Sequence, residues 1–346
     1  MKSRFSKQTG PNPLVGWQVD RAAIRTIGHD LQRPECILAE RDGTLWSADA
    51  RGGVMRIAPD GSQELRSQTV SGHFDLGGDQ ASSLLYGTLP NGLAFAANGD
   101  FLIANFGTDA LEVMTRDGAS RTLYDQIDGQ KMGKVNFVLR DSRDRIWITI
   151  STSVNPWSDA IRKDISDGYI ALVDDKGIRI VADGFAFTNE IRLDEREEWL
   201  YVAETCGKRV SRLRVMPDGS LTDREVYGPS DLGEGLIDGC AFDAYGNLWC
   251  TMVFADRLVA ITPEGDLLTL LEDGDPAATA AFEREFASGK SVSFETLSAA
   301  HGTIAPWMAS VTFGGPDLRT VYLGHLKGST IPYFTAPVAG LPMVHW

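Results

Sequence analysis

The stretch IDGCAFDAYGNLWCTMVFADRLVAITPEG, Ile237 to Gly265, decides the fold. It holds three runs in which apolar residues recur with a period of two, and turn residues separate them. That is the signature of short antiparallel strands joined by tight turns. The same phrase recurs on both sides. It reads PECILAERDGTLWSADARGGVMRIAPDG from Pro34, PNGLAFAANGDFLIANFGTDALEVMTRDG from Pro90, and VNFVLRDSRDRIWITIST from Val135, resuming as GYIALVDDKG after an insertion. It reads TNEIRLDEREEWLYVAETCGKRVSRLRVMPDG from Thr188, and a degenerate copy, VTFGGPDLRTVYLGHLKGSTIPYF, starts at Val311. Asp-Gly pairs at Asp42-Gly43, Asp60-Gly61, Asp117-Gly118 and Asp218-Gly219 supply the positive φ of hairpin turns.

Copies that start roughly 45 to 75 residues apart match four-stranded blades with variable loops. Six copies predict an all-β, six-bladed β-propeller, formed by residues 1–346 as a single domain. Residues 1–21 are expected to be an extension. Residues 22–28 are expected to give a strand that pairs with the carboxyl-terminal segment and closes the last blade, removing an exposed edge. Residues 270–305 break the strand period and predict a partly helical interblade insertion, with a helix over Pro276–Phe286 capped by Asp275 and stopped near Gly289.

The 346 residues carry 33 Lys and Arg against 47 Asp and Glu, a formal net charge of −14. That sign, without any basic cluster, argues against a nucleic-acid partner. No apolar run approaches the roughly 20 residues of a membrane helix, so no membrane partner is expected. The first residues lack the apolar stretch of a signal peptide. The four cysteines (Cys36, Cys206, Cys240, Cys250) form no C-x-x-C pair. They read as reduced and buried, and the expected localisation is cytoplasmic. The sequence does not specify an oligomeric state.

In a propeller the innermost strand of each blade starts near one mouth of the central channel. The residue at that start, read copy by copy, is Glu35, Asn91, Asn136, Asn189, Asp238 and Thr312. Two carboxylates and three side-chain amides thus converge on one small volume. Such an all-oxygen set suits a hard cation. Ca²⁺, which tolerates irregular geometry, is the expected ion, with Mn²⁺, Mg²⁺ and, less suited to these donors, Zn²⁺ as the other candidates. The competing account is that these groups merely solvate a water-filled channel mouth.

The segments Arg33-Pro34-Glu35-Cys36, Pro90-Asn91-Gly92-Leu93, Lys134-Val135-Asn136-Phe137, Phe187-Thr188-Asn189-Glu190, Asp238-Gly239-Cys240-Ala241 and Phe313-Gly314-Gly315-Pro316-Asp317 carry a resemblance. In this order the chain resembles the SMP-30/gluconolactonase/luciferin-regenerating-enzyme-like family, six-bladed propellers that hydrolyse lactones with a divalent metal at the axis. The resemblance implies that Glu35, Asn189 and Asp238 bind the metal. It implies that Asn136 is a fourth ligand or holds a water or the substrate, and that Asp238 doubles as general base. Water activated by the cation is the competing assignment for that base. Asn91, Lys134, Asn136 and His73 are the candidate substrate contacts, the last from the loop SGHFDLGG. Related diisopropyl-fluorophosphatase propellers place a similar Glu–Asn–Asn–Asp set around calcium, so a phosphotriester or fluorophosphate hydrolase is the alternative, and a non-catalytic binding propeller a third. Two departures stand out: Lys134 where some sugar-lactonase relatives carry Arg, and Glu190 where many carry Gly.

No G-x-S-x-G elbow and no H-E-x-x-H motif occurs. The five histidines have no metal-ligand spacing. Trp46, Trp147, Trp199 and Trp249 recur in the second strand of their copies and are expected in blade cores. Trp157 breaks that register, and specificity is expected in residues 70–85, 152–167 and 270–305. The expected reaction is opening of a small-molecule lactone by metal-activated water.

Overall fold

The computed structural model describes residues 10–69 and 87–346. Among them, six four-stranded antiparallel sheets are arranged as the blades of a propeller. Their innermost strands are Ile37–Ala39, Pro90–Phe95, Val135–Arg140, Thr188–Leu193, Leu236–Phe242 and Met308–Gly314. Neighbouring inner strands pack on one another around the ring, the first against the sixth included. The sixth sheet takes three strands from the carboxyl-terminal region and its outer strand, Arg25–Ile27, from the amino-terminal region. Arg25 faces Tyr333 and Ile27 faces Ile331 across that seam.

A repeated polar device organises the blade cores. In three blades a carboxylate after the inner strand takes the indole N–H of a tryptophan on the second strand: Trp46 to Glu40 (2.6 Å), Trp147 to Asp141 (2.9 Å) and Trp249 to Asp243 (2.9 Å). Asp141 and Asp243 also accept backbone N–H groups of the intervening turn. Asp141 and Asp243 thereby fix their hairpins, and all three acids supply the partner that a buried indole requires. Trp199 differs from the expectation: it is only half-buried, and the guanidinium groups of Arg212 and Arg214 cover its ring at 4.5 and 5.5 Å.

Between the fifth and sixth blades lie two helices, α1 (Pro276–Ala287) and α2 (Phe294–Ala299). Asp275 caps α1 by accepting from Ala277 and Ala278, and Pro276 occupies a first-turn position where no N–H partner is needed. The buried residues of α1, Thr279, Phe282 and Phe286, join an apolar cluster with Phe106, Phe187, Phe254 and Trp307. Towards the other ends of the inner strands a cavity of about 800 Å³ is lined by Leu38, Leu93, Phe137, Phe313, Arg192 and Met343, among others. The carboxyl-terminal tail lies along it, tied by Leu341 N to Phe242 O (2.8 Å) and by the His345 ring to Ala39 O (3.0 Å). All four cysteines are free and buried. No helix among the described residues is long and apolar enough to cross a membrane.

Candidate metal and active site

Four of the predicted axial residues sit at a break in strand pairing. The register of inner against second strand shifts between Pro90 and Leu93, Val135 and Phe137, Thr188 and Ile191, and Ile237 and Cys240. These β-bulges enclose Asn91, Asn136, Asn189 and Asp238. A bulge leaves its extra residue unpaired and re-aims its side chain. This is how a strand that buries alternate residues in its blade turns a polar one to the axis.

The sixth blade corrects the sequence reading. Its register shift lies between Met308 and Ser310, so Ala309 is the equivalent residue. Thr312 lies farther along the strand, where its hydroxyl donates to Ile37 O (2.9 Å). Strand periodicity alone could not locate a bulge, because one extra residue moves every later side chain to the other face.

Glu35 precedes its strand and is held by the seam. The Ser310 hydroxyl donates to its carbonyl oxygen. A Cβ on Gly324 would lie 1.7 Å from that oxygen, so only glycine allows the approach. Gly239 serves likewise beside Asp238, since a Cβ there would lie 2.4 Å from Ala309 O.

Glu35, Asn91, Asn136, Asn189 and Asp238 are all between 2% and 6% exposed. Three buried oxygens among them have no partner, Asn136 Oδ1, Asn189 Oδ1 and Asp238 Oδ1, and a fourth, Glu35 Oε2, meets only the Arg33 guanidinium at 2.8 Å. They come from blades 1, 3, 4 and 5. Leaving a buried acceptor unpaired costs about 1–3 kcal/mol, so three in one layer beside a buried carboxylate call for a common partner. A hard divalent cation fits such a donor set. Among the described residues no cluster of three or more His, Cys, Asp or Glu could hold a metal. The axial set has only two carboxylates, its other donors being amide oxygens.

The electrostatics agree with that fit. Burial pushes the Asp238 carboxyl well above the usual carboxylate range, the neighbouring Glu35 and Glu190 charges add to this, and Arg33 and the Asn189 amide oppose it. Burial also raises Glu35, against Arg33 and Asn91. Glu190 is buried between blades 4 and 5, its Oε2 2.7 Å from Arg192 Nη2 and accepting from Cys240 N at 3.1 Å. Burial pushes it up to about 7.

Of the other candidate substrate contacts, Asn91 and Lys134 have partners within the protein. Asn91 accepts from Arg33 Nη2 (2.7 Å) and donates to Asn136 O (3.0 Å). Lys134 Nζ pairs with Asp109 at 2.9 Å and lies 5.8 Å from the centre of the Phe106 ring. His73 and the loop around it lie outside the described residues.

Sequence reasoning missed a second ring, two residues ahead of each axial position: Arg33, Leu89, Lys134, Phe187, Leu236 and Trp307. Arg33, Phe187 and Trp307 have φ of 54°, 60° and 59°, a left-handed conformation that is costly for bulky residues. No glycine or asparagine marks these turns in the sequence. The four apolar members join one cluster with Phe106, and Trp157 packs against it. The Trp157 ring stands edge-on to Phe106 (5.9 Å) and Phe187 (6.5 Å), and its indole N–H is buried without a partner.

The comparisons with known proteins fall on this architecture. Residues 34–282 match the family model described as SMP-30/gluconolactonase/LRE-like region. The chain is 22% identical over 163 residues to a 6-deoxy-6-sulfogluconolactonase of Pseudomonas putida, covering 46% of each chain. The match spans about half the length of the curated relatives. Among solved structures, a gluconolactonase from Xanthomonas campestris superposes with a TM-score of 0.65 at 17% identity, covering 91% of this chain and 89% of that one. The calcium-binding protein regucalcin from Agrobacterium tumefaciens superposes with a TM-score of 0.64 at 15% identity, covering 93% and 98%. With the family model covering well over half of the sequence, the chain belongs to the SMP-30/gluconolactonase/LRE-like family.

Proposed function

We propose that this protein is a divalent-cation-dependent lactonase, with Glu35, Asn136, Asn189 and Asp238 holding Ca²⁺. The observation that carries this reading is the set of three buried, unpaired oxygens of Asn136, Asn189 and Asp238 beside the buried Glu35 carboxylate at the starts of the inner strands. The family and its gluconolactonase relatives support the lactone, and the calcium-binding relative supports the ion.

When bound, the cation supplies a Lewis acid for the ester carbonyl. The Asp238 carboxylate takes a proton from the water as its oxygen bonds to the carbonyl carbon, the ring C–O bond breaks, that proton passes to the departing alkoxide oxygen, and a hydroxy acid leaves. Asn91 acts behind the site, holding Arg33 and the Asn136 backbone. Leu89, Phe187, Leu236 and Trp307, with Phe106 and Trp157, exclude water from the layer beside these groups. A substrate that meets this cluster is expected to be a lactone with an apolar or aromatic substituent rather than a polyhydroxylated one, because each sugar hydroxyl needs a polar partner.

Proton release from a lactone panel tests this reading, before and after chelation and with Ca²⁺, Mn²⁺, Mg²⁺ or Zn²⁺ restored. Turnover is expected to stop on chelation, to return with one cation, and to be lost in Glu35→Gln. Trp157→Ala is expected to lower kcat/KM for aryl lactones more than for gluconolactone. Stoichiometric metal with no lactone turnover would move the assignment to phosphotriesters. A site that binds no cation would leave a binding propeller.

A further inference from the structure

One full positive charge belongs to the axial layer itself. Arg33 is 8% exposed, and its Nη2 lies 2.8 Å from Glu35 Oε2 and 2.7 Å from Asn91 Oδ1. Its Nε is buried with no partner. The backbone at Arg33 adopts a positive φ of 54°, as do Phe187 and Trp307 at the equivalent positions of blades 4 and 6. A guanidinium stays charged in a protein, so Arg33 is a permanent resident of the layer.

The charge count then changes. Glu35 and Asp238 bring two negative charges, and Arg33 returns one. Glu190 is matched by Arg192 at 2.7 Å. The layer thus offers a divalent ion one net negative charge, where its carboxylates alone would offer two. Calcium sites set their affinity largely by ligand charge and rigidity. Arg33 acts on both, in opposite directions: it fixes Glu35 and Asn91, and it repels a second cation. Charge acts at short range through a buried, poorly screened medium, whereas Glu35 is also held through its backbone by the Ser310 hydroxyl and packs closely against Gly324. Repulsion therefore outweighs orientation.

We propose that Arg33 is a positioning residue that serves as a built-in counter-cation, weakening the axial site for divalent ions and making occupancy depend on their concentration. This rests on the cation reading of the site. Titration calorimetry with CaCl₂, repeated with MnCl₂, tests it on the full chain. Arg33→Gln keeps hydrogen-bonding capacity and loses the charge, and Arg33→Met loses both. Each is expected to bind Ca²⁺ at least tenfold more tightly than the wild type, while Arg33→Lys stays within about threefold of it. A residue that only scaffolds Glu35 would give the opposite sign, weaker binding in Arg33→Met. Should Arg33→Met fail to fold, Arg33→Gln and Arg33→Lys still decide the sign. Equal or weaker binding in Arg33→Gln, with a wild type that binds, overturns the role of Arg33 and leaves the cation site standing. Binding by Arg33→Gln alone supports the proposal. If neither the wild type nor any variant binds, the cation reading fails and the role of Arg33 falls with it.

Discussion

His325 offers a quantitative test of how the ring is closed beside Glu35. Its backbone N–H donates to Pro34 O (3.1 Å), joining blade 6 to the residue before Glu35. Its ring is buried, with Nε2 donating to Thr330 O at 2.6 Å and Nδ1 accepting from Gly328 N at 3.0 Å. This pattern requires the neutral imidazole, because a proton on Nδ1 would face the Gly328 N–H. Burial accordingly lowers the folded pKa from 6.5 to about 4. At 1.36 kcal/mol per unit, the difference is worth about 3 kcal/mol. The unfolded chain binds the extra proton between these values. Stability is therefore complete above pH 6.5 and is lost as pH falls towards 4. Guanidinium unfolding of wild type and His325→Gln across pH 4–7.5 measures it. The wild type is expected to lose about 3 kcal/mol more than the variant over that window. Parallel pH profiles would refute a buried neutral His325.

Asp256 titrates with the opposite sign: its carboxylate accepts from Gly302, Trp307 and Met308 N, yet burial raises it to about 6. The folded state binds its proton more tightly, so stability falls as pH rises from about 4 to 6, and Asp256→Asn should remove that slope in the same unfolding assay. Gly324→Ala places a Cβ 1.7 Å from Glu35 O. It is expected to lower stability by about 3 kcal/mol or more by overpacking, read from the unfolding midpoint. Trp249→Phe removes the 2.9 Å bond to the buried Asp243. Its expected cost is about 1–3 kcal/mol, while Trp199→Phe, at a half-buried site, should cost less.

Blade number and the positions of Glu35, Asn91, Asn136, Asn189 and Asp238 are legible in the sequence because a strand's period of two repeats visibly and each turn needs particular residues. The asparagine and aspartate positions recur beside the same apolar phrase. Thr312 was misplaced for a physical reason: a bulge at Ala309 inserts one residue without any compositional mark. The second ring escaped notice because its members share a place in space, and three of them a backbone conformation, but no residue type.

The sequence alone thus determined the propeller, the closing role of the amino-terminal strand and the oxygen-rich character of the axis, since all follow from local periodicity and residue chemistry. Tertiary structure decided which of those oxygens remain unpaired, that Asn91 and Lys134 are spent on protein partners, and that Arg33 stands among the carboxylates. Those outcomes depend on distances between residues far apart in the chain, which packing sets and no local pattern encodes.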